Sequence, residues 1–206
     1  MKHPILTTTK VLGLAVLALL LAACNPVENK SESQSLLTVE SISGSDADGN
    51  ESSFLQSDVL YQDPATGASS IFADTAKVTL TARTLDPAPA LGTSPYADIQ
   101  VTKYVVSFSR SDGKNTPGVD VPYSFEGNIS ILVKIGMMTS IGFVIVRETA
   151  KQESPLIELG STGTRAEVLA TTARIDFYGH DLGNKNVKTT AYLPVYFGNY
   201  ANKSGS

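Results

Sequence analysis

The sequence predicts an all-β fold, a sandwich of antiparallel strands, on three observations. Apolar residues alternate with polar ones through most of the chain after residue 35, which is typical of strands with one face in a core and the other in water. Turn sequences rich in Gly, Pro, Asp and Asn separate these segments. Helical periodicity occurs only near the amino terminus. We therefore expect about 7–9 strands in a single domain over residues 36–206.

Individual strands are predicted wherever apolar residues recur at every second position. The clearest apolar faces lie within residues 78–82, 104–108, 129–135, 173–177 and 187–197. Residues 141–146 are apolar on both faces apart from Gly142, which predicts a central strand covered on both sides. Weaker strands are expected at residues 36–41, 54–60 and 164–169. The main turn sequences are residues 48–50, 66–67, 86–87, 111–113, 116–118 and 182–184.

Composition excludes several classes of protein. The chain has 206 residues, a net charge of −4, one cysteine and no tryptophan. A single cysteine forms no internal disulfide and no Cys-rich zinc site. The acidic balance argues against nucleic acid as a partner. An apolar content of 42% is too high for a disordered chain.

Residues 1–23 predict a secretory signal peptide. Lys2 and Lys10 precede an apolar run of eleven residues, 11–21, which is shorter than the roughly 20 residues that span a bilayer. Small residues and the only cysteine follow directly. Removing this segment would take the net charge from −4 to −6, because both lysines leave with it.

The sequence Leu21-Ala22-Ala23-Cys24 resembles the lipobox of bacterial lipoprotein precursors. That resemblance implies cleavage before Cys24, a diacylglycerol on its sulfur and an acyl chain, such as palmitate, on the new amino terminus. Several acyl chains anchor a protein stably, so the membrane is an expected partner. Asn25 follows the cysteine, which resembles the sorting signal for the outer membrane. The alternative is an ordinary signal peptide followed by a coincidental cysteine.

Residues 24–35 predict a lipidated cysteine with a flexible tether, because this segment is polar and has no periodicity. At the other end of the chain, residues 178–184 resemble the turn that joins the last two strands of bacterial immunoglobulin-like sandwich domains. More broadly, the mature chain is similar to bacterial envelope lipoproteins of unassigned function. The resemblance implies an immunoglobulin-like sandwich and assigns no functional residue.

Residues 110–127 form the longest connection between predicted strands, and long loops on rigid scaffolds often carry binding. Our functional hypothesis is a recognition loop whose binding residues are Arg110, Asp112, Lys114, Asp120 and Tyr123. The alternative is a structural loop that packs Val121, Tyr123 and Phe125 over an open edge of the core.

The outward face of the last hairpin is a second candidate surface, because Tyr178, Tyr192 and Tyr196 share one side of the predicted sheet. Aromatic rings stack on sugars or anchor a protein partner. The alternative is ordinary cross-strand packing. Pro194 predicts an edge or a bulge, since proline donates no hydrogen bond to a ladder.

The loop at residues 45–51 is a weak candidate for calcium, the one cofactor that the sequence suggests. Its oxygen-bearing residues are Asp46, Asp48, Asn50 and Glu51. The spacing differs from an EF-hand, because the glycine falls at the fourth loop position. The alternative is an acidic turn without an ion.

Catalytic motifs are absent from the sequence. There is no Gly-x-Ser-x-Gly elbow, and the one histidine of the mature part, His180, is interpreted as a solvent-facing turn residue beside Asp181. We therefore expect a non-catalytic adaptor, binding or structural module whose partner is an envelope protein or a glycan. The alternatives are a calcium- or glycan-binding module and a hydrolase that uses carboxylates such as Asp120, Glu126 or Glu153.

Overall fold

Eleven strands and two short helices make up the part of the chain that the computed structural model describes, which is residues 33–86, 88, 92–161 and 167–200. The strands are β1 Ser35–Ser45, β2 Glu51–Ser52, β3 Leu55–Asp58, β4 Tyr61–Gln62, β5 Ser69–Ser70, β6 Asp74–Thr84, β7 Ile99–Ser109, β8 Phe125–Val133, β9 Met138–Val146, β10 Leu169–Asp181 and β11 Asn186–Gly198. The helices are α1 Glu148–Lys151 and α2 Leu156–Ser161, and Pro95–Ala97 form a 3₁₀ turn. The predicted signal peptide and Cys24 lie outside the described residues.

The strands form two main sheets, which confirms the predicted all-β sandwich. Sheet A has the order β2-β1-β6-β9 and sheet B the order β3-β11-β10-β7-β8, while β4 and β5 form a separate hairpin. Neighbouring strands are antiparallel except for β3, which is parallel to β11. The short strands β2, β3, β4 and β5 raise the total above the seven to nine expected.

The core lies between the inner faces of the two sheets. The predicted alternation is confirmed in β6, β7, β10 and β11, whose inward side chains are almost fully buried. Phe143 of sheet A joins the sheets, because its ring centroid lies 5.0 Å from that of Tyr104 and 5.4 Å from that of Phe177 in sheet B. Edge-to-face contacts of this kind add to the free energy gained by burial.

Strand β9 is an edge strand, so the prediction of a central strand at residues 141–146 is wrong. Within the described chain it pairs with β6 alone. Its apolar run has two sources: Phe143 and Ile145 face the core, and Val146 is buried where the chain turns into α1. Both helices are too short to give a helical period in the sequence. Half of the strand expected at residues 164–169 lies outside the described residues; Glu167 and Val168 are not in a strand, and β10 begins at Leu169.

The domain includes residues that precede the predicted boundary at residue 36, since β1 begins at Ser35 and Ser33 is buried. Ser33 is buried, and its hydroxyl donates a hydrogen bond of 2.6 Å to the Asp181 carboxylate at the end of β10. The hydroxyl of Ser35 donates to the carbonyl of Ala97 at 2.6 Å. These two serines were expected in the tether. They fix residues 33–35, at the start of β1, to one end of the sandwich, here called the Ser33 end.

The opposite end of the sandwich is here called the Arg110 end. It carries the connection from β7 to β8, both helices and the start of β10. Strand β10 runs thirteen residues from the Arg110 end to the Ser33 end, which corresponds to roughly 40 Å at the usual rise of a strand. The two ends are therefore well separated.

A buried ion pair holds α1 against the sandwich. The Lys151 ammonium lies 2.9 Å from the Asp74 carboxylate and donates a 2.7 Å hydrogen bond to the carbonyl of Asp58. The hydroxyl of Ser57, itself fully buried, donates to the same Asp74 oxygen at 2.6 Å. Burial raises the pKa of Asp74 above its ordinary 3.8, and Lys151 offsets that rise only in part.

We predict that Lys151→Met lowers the free energy of unfolding at pH 7 by about 3–5 kcal/mol, since it leaves the Asp74 carboxylate buried without its counter-charge. The loss should shrink as the pH falls. Without lysine the folded-state pKa of Asp74 lies still further above the unfolded value, so the native state keeps a proton that the unfolded chain has lost. Urea unfolding at several pH values between 4 and 7 measures this.

The double variant Lys151→Met, Asp74→Asn is the control. It removes both charges, keeps an acceptor for Ser57 and should recover most of the lost stability at pH 7. A loss in Lys151→Met that stays the same from pH 4 to pH 7 would contradict an electrostatic role for the pair.

We predict that Ser33→Ala lowers the free energy of unfolding by about 1–3 kcal/mol, because the buried Asp181 carboxylate loses a donor. Amide exchange should also accelerate at the start of β1. Urea denaturation and hydrogen exchange with mass spectrometry measure the two effects. Ser41→Ala, an exposed position on the same strand, is the matched control. Equal stability of both variants would show that the hydrogen bond from Ser33 to Asp181 does not hold the start of β1.

Candidate functional site

A groove of about 540 Å³ lies at the Arg110 end of the sandwich. Three parts of the chain line it: the β7–β8 connection, α2, and the residues that lead into β10. The main lining residues are Arg110, Asp112, Val119, Asp120, Glu158 and Val168. The groove therefore combines charged walls with apolar side chains, and the loop that the sequence singled out forms one wall.

Side chains of the β7–β8 connection fix its own backbone. The Arg110 guanidinium donates two hydrogen bonds to the Asp112 carboxylate, at 3.1 and 2.5 Å. These bonds lower the pKa of Asp112. Asp112 also accepts the backbone N–H of Lys114, and Asp120 accepts that of Thr116. The loop thus presents a preformed wall to the groove.

Tyr123 holds this loop from outside the groove. Its ring lies against Gly118, whose φ of +77° is a left-handed conformation, and a Cβ at Gly118 would collide with the tyrosine hydroxyl. The ring remains half exposed. Val121 and Phe125 are buried in the core, as the structural alternative expected, whereas Tyr123 is not.

The five predicted binding residues of the loop therefore divide into two groups. Arg110, Asp112 and Asp120 line the groove. Lys114 and Tyr123 lie outside its lining, where the first donates its backbone N–H within the loop and the second packs on Gly118. Different residues of the same segment therefore line the groove and pack in the core.

The three tyrosines of the last hairpin do not form one cluster. Tyr178 lies opposite Lys188, while Tyr192 lies opposite Arg174, four positions away along β10, or roughly 13 Å. The Tyr178 ring is flanked by the ammonium groups of Lys103 and Lys188, 5.4 and 5.0 Å from its centroid. A single platform of three rings is therefore not formed.

Tyr196 and Pro194 lie further along β11. The ring of Tyr196 makes an edge contact with Phe54, at 5.8 Å between centroids. Strand β3 pairs with β11 only over residues 195–198, so within the described chain Pro194 lies on a stretch of β11 that has no partner strand on that side. The prediction of an edge around Pro194 is confirmed.

The acidic turn at residues 46–51 uses its oxygens within the protein. The Asp46 carboxylate accepts the backbone N–H groups of Asp48 and Asn50, and the hydrogen bonds from Asn50 lower its pKa. Glu51 accepts the Ser43 hydroxyl and lies 3.7 Å from the Lys77 ammonium. Over the described ranges, no three His, Cys, Asp or Glu side chains form a group suited to a metal ion.

His180 lies in β10 and not in a turn, so its interpretation as a turn residue is wrong. It pairs with Asn186 across the hairpin and is half-buried. Its neighbour Asp181 points to the opposite face of the strand, where it is buried against Ser33. The two side chains therefore do not form a catalytic pair.

The three carboxylates considered for a hydrolase are not all at the groove. Of Asp120, Glu126 and Glu153, only Asp120 lines it. Glu126 pairs with Lys103 at 2.8 Å on the outer face of sheet B, and Glu153 lies between the two helices.

Sequence reasoning missed Glu158 and Glu167, two further carboxylates at the groove. They lie 31 and 40 residues beyond Gly127, the end of the loop, and only Glu167 falls within a predicted strand, that at residues 164–169. Their acidic side chains, one on each side of residues 162–166, were the one available signal. Sequence reasoning also missed Lys151, a buried lysine in a helix that is too short to show a helical period.

No protein-family model, curated protein or solved structure matches this chain. Among the residues that the structure describes, no helix is both long and apolar enough to cross a membrane.

Proposed function

We propose that this chain is a lipid-anchored, non-catalytic binding module of the bacterial envelope, and that the groove at the Arg110 end is its recognition surface. One observation carries the proposal: the β7–β8 connection is fixed by its own side chains and forms a wall of the groove. A preformed site loses less entropy when it binds a partner than a mobile loop does.

The position of Ser33 supports a groove that is accessible to a partner when the protein is anchored. Ser33 is fastened to the end of the sandwich opposite the groove, and only residues 25–32 separate it from Cys24. A lipidated Cys24 would therefore hold the Ser33 end near the membrane. The groove would then face away from the bilayer, where a partner can reach it.

The chemistry of the groove supports binding over catalysis. Hydrolysis by paired carboxylates needs one acid that keeps its proton near neutral pH. Of the three carboxylates considered for this chemistry, Asp120, Glu126 and Glu153, only Asp120 lines the groove, so these three do not supply such a pair there. The calcium and glycan alternatives have weaker support, since Asp46 is engaged in its own turn and the tyrosines of the last hairpin are spread along the sheet.

We predict that Cys24→Ser abolishes lipid anchoring. In a bacterial host, the wild-type protein should partition into the detergent phase of a phase-separation assay and carry the mass of an acylated Cys24 terminus. The variant should remain in the aqueous phase, because it lacks the sulfur that accepts the diacylglycerol. Circular dichroism of both proteins is the control for folding. A wild-type protein found only in the aqueous phase, with no acyl mass, would refute the anchor.

We predict that replacing Arg110, Asp112 and Tyr123 together with alanine abolishes partner capture while the domain stays folded. The substitutions remove one wall of the groove and the ring that supports it. Chemical cross-linking in the native envelope, followed by mass spectrometry, measures capture.

The matched control replaces Arg174, Asp176 and Tyr192, the same three residue types on the outer face of sheet B. This control should keep the cross-linked partner. Loss of the fold in the Arg110 variant, or equal loss of capture in both variants, would refute recognition through the groove.

A further inference from the structure

A short stretch of strand edge, with which no described strand pairs, opens into the groove. Strand β7 ends at Ser109, opposite Thr172 of β10. Strand β10 extends three residues beyond that point, to Leu169, and there it pairs with β11 on its other side. Within the described residues, no strand lies beside Leu169, Ala170 and Thr171 on the side of β7.

The backbone of Ala170 faces this open side. The Ser109 hydroxyl donates a hydrogen bond of 3.5 Å to the carbonyl oxygen of Thr172. The Thr172 carbonyl therefore points toward β7. In an antiparallel ladder, residues two apart direct their N–H and C=O groups to the same side. The N–H and C=O of Ala170, an exposed residue that lines the groove, therefore point into it.

An exposed edge of this kind is a template for an extended chain. Backbone groups without a strand partner accept a further strand, which supplies hydrogen bonds in the same pattern as the missing neighbour. In the groove, a peptide that continues the line of β7 would pair with Ala170. Its alternate side chains would point toward the groove walls.

The charges of the groove indicate which side chains those would be. Two of the carboxylates that line the groove belong to Asp120 and Glu167. The other two described carboxylates of the lining are engaged within the protein, since Asp112 is bound by Arg110 and Glu158 accepts the Ser154 hydroxyl. Apolar side chains such as Val119 and Val168 also line the groove. Lysine and arginine fit such a lining, because their aliphatic stems pack on apolar surface while their charged ends reach the carboxylates.

We propose that the groove binds an extended, basic segment of a partner protein by strand addition to β10 at Ala170. This inference rests on the proposed binding function and names the chemistry of the partner. Backbone pairing supplies the orientation of the segment, and the carboxylates select a positive charge. Salt should weaken the complex, since the carboxylates are near the surface.

The experiment uses the full-length mature protein and a fluorescent peptide of four alternating lysine–valine repeats. Fluorescence anisotropy should show saturable binding of this peptide and none of a matched glutamate–valine peptide. Affinity should fall as salt rises from 50 to 300 mM. Equal binding of both peptides, or binding of neither, would overturn the proposal.

Two variants separate backbone pairing from charge. Ala170→Pro removes the N–H that would donate a hydrogen bond to the peptide, and it should weaken binding at least tenfold. Ala170→Ser keeps this N–H and should bind the peptide like the wild type. The second variant, Asp120→Asn with Glu167→Gln, should also weaken binding about tenfold without disturbing the strand. It keeps the proposal testable if the proline variant fails to fold.

The charge control is Glu126→Gln with Glu148→Gln, which removes two carboxylates outside the groove lining. It should leave binding unchanged, and an equal loss would show non-specific attraction to an acidic protein and overturn the proposal. If the Arg110, Asp112 and Tyr123 variant loses its native partner while the lysine peptide does not bind, the peptide chemistry is refuted and the groove as a recognition surface is supported.

Discussion

The packing of Phe143 against Tyr104 and Phe177 is the contact on which the rest of the structure depends. It joins the two sheets across the core, with ring centroids 5.0 and 5.4 Å apart. The only cysteine precedes the domain, so no disulfide restrains the unfolded chain of residues 33–200. Burial between the sheets must therefore offset the conformational entropy lost on folding. Tyr104 also packs on Gly127 of β8, where a Cβ would meet its ring.

A rigid sandwich gives the molecule two chemically different ends. The Ser33 end is held by buried hydrogen bonds from Ser33 and Ser35, which restrain the start of β1. The Arg110 end carries loops and helices that are fixed by side-chain bonds and by the buried pair of Lys151 and Asp74. Because long strands connect the two ends, the proposed attachment at one end and the proposed recognition at the other would be separate tasks of one domain.

The site was only partly predictable. The length and mixed composition of the segment at residues 110–127 indicated a functional loop, and three of its five named residues line the groove. Glu158, Glu167 and the open edge at Ala170 were beyond sequence reasoning, since they come together only when α2 and β10 pack beside the loop. The tyrosines of the last hairpin were expected to lie together, and the structure separates them. They share a face of the sheet, but the strand register places Tyr178 four positions from Tyr192.

The sequence by itself determined the fold class and the inward faces of the strands, because a period of two has one physical meaning in a half-buried sheet. It also contains the lipobox-like segment that predicts where the chain is anchored. Tertiary structure alone decided that β9 is an edge, that Ser33 belongs to the domain and that Lys151 is buried. Strand order and burial depend on contacts between residues far apart in the chain, which local periodicity does not encode.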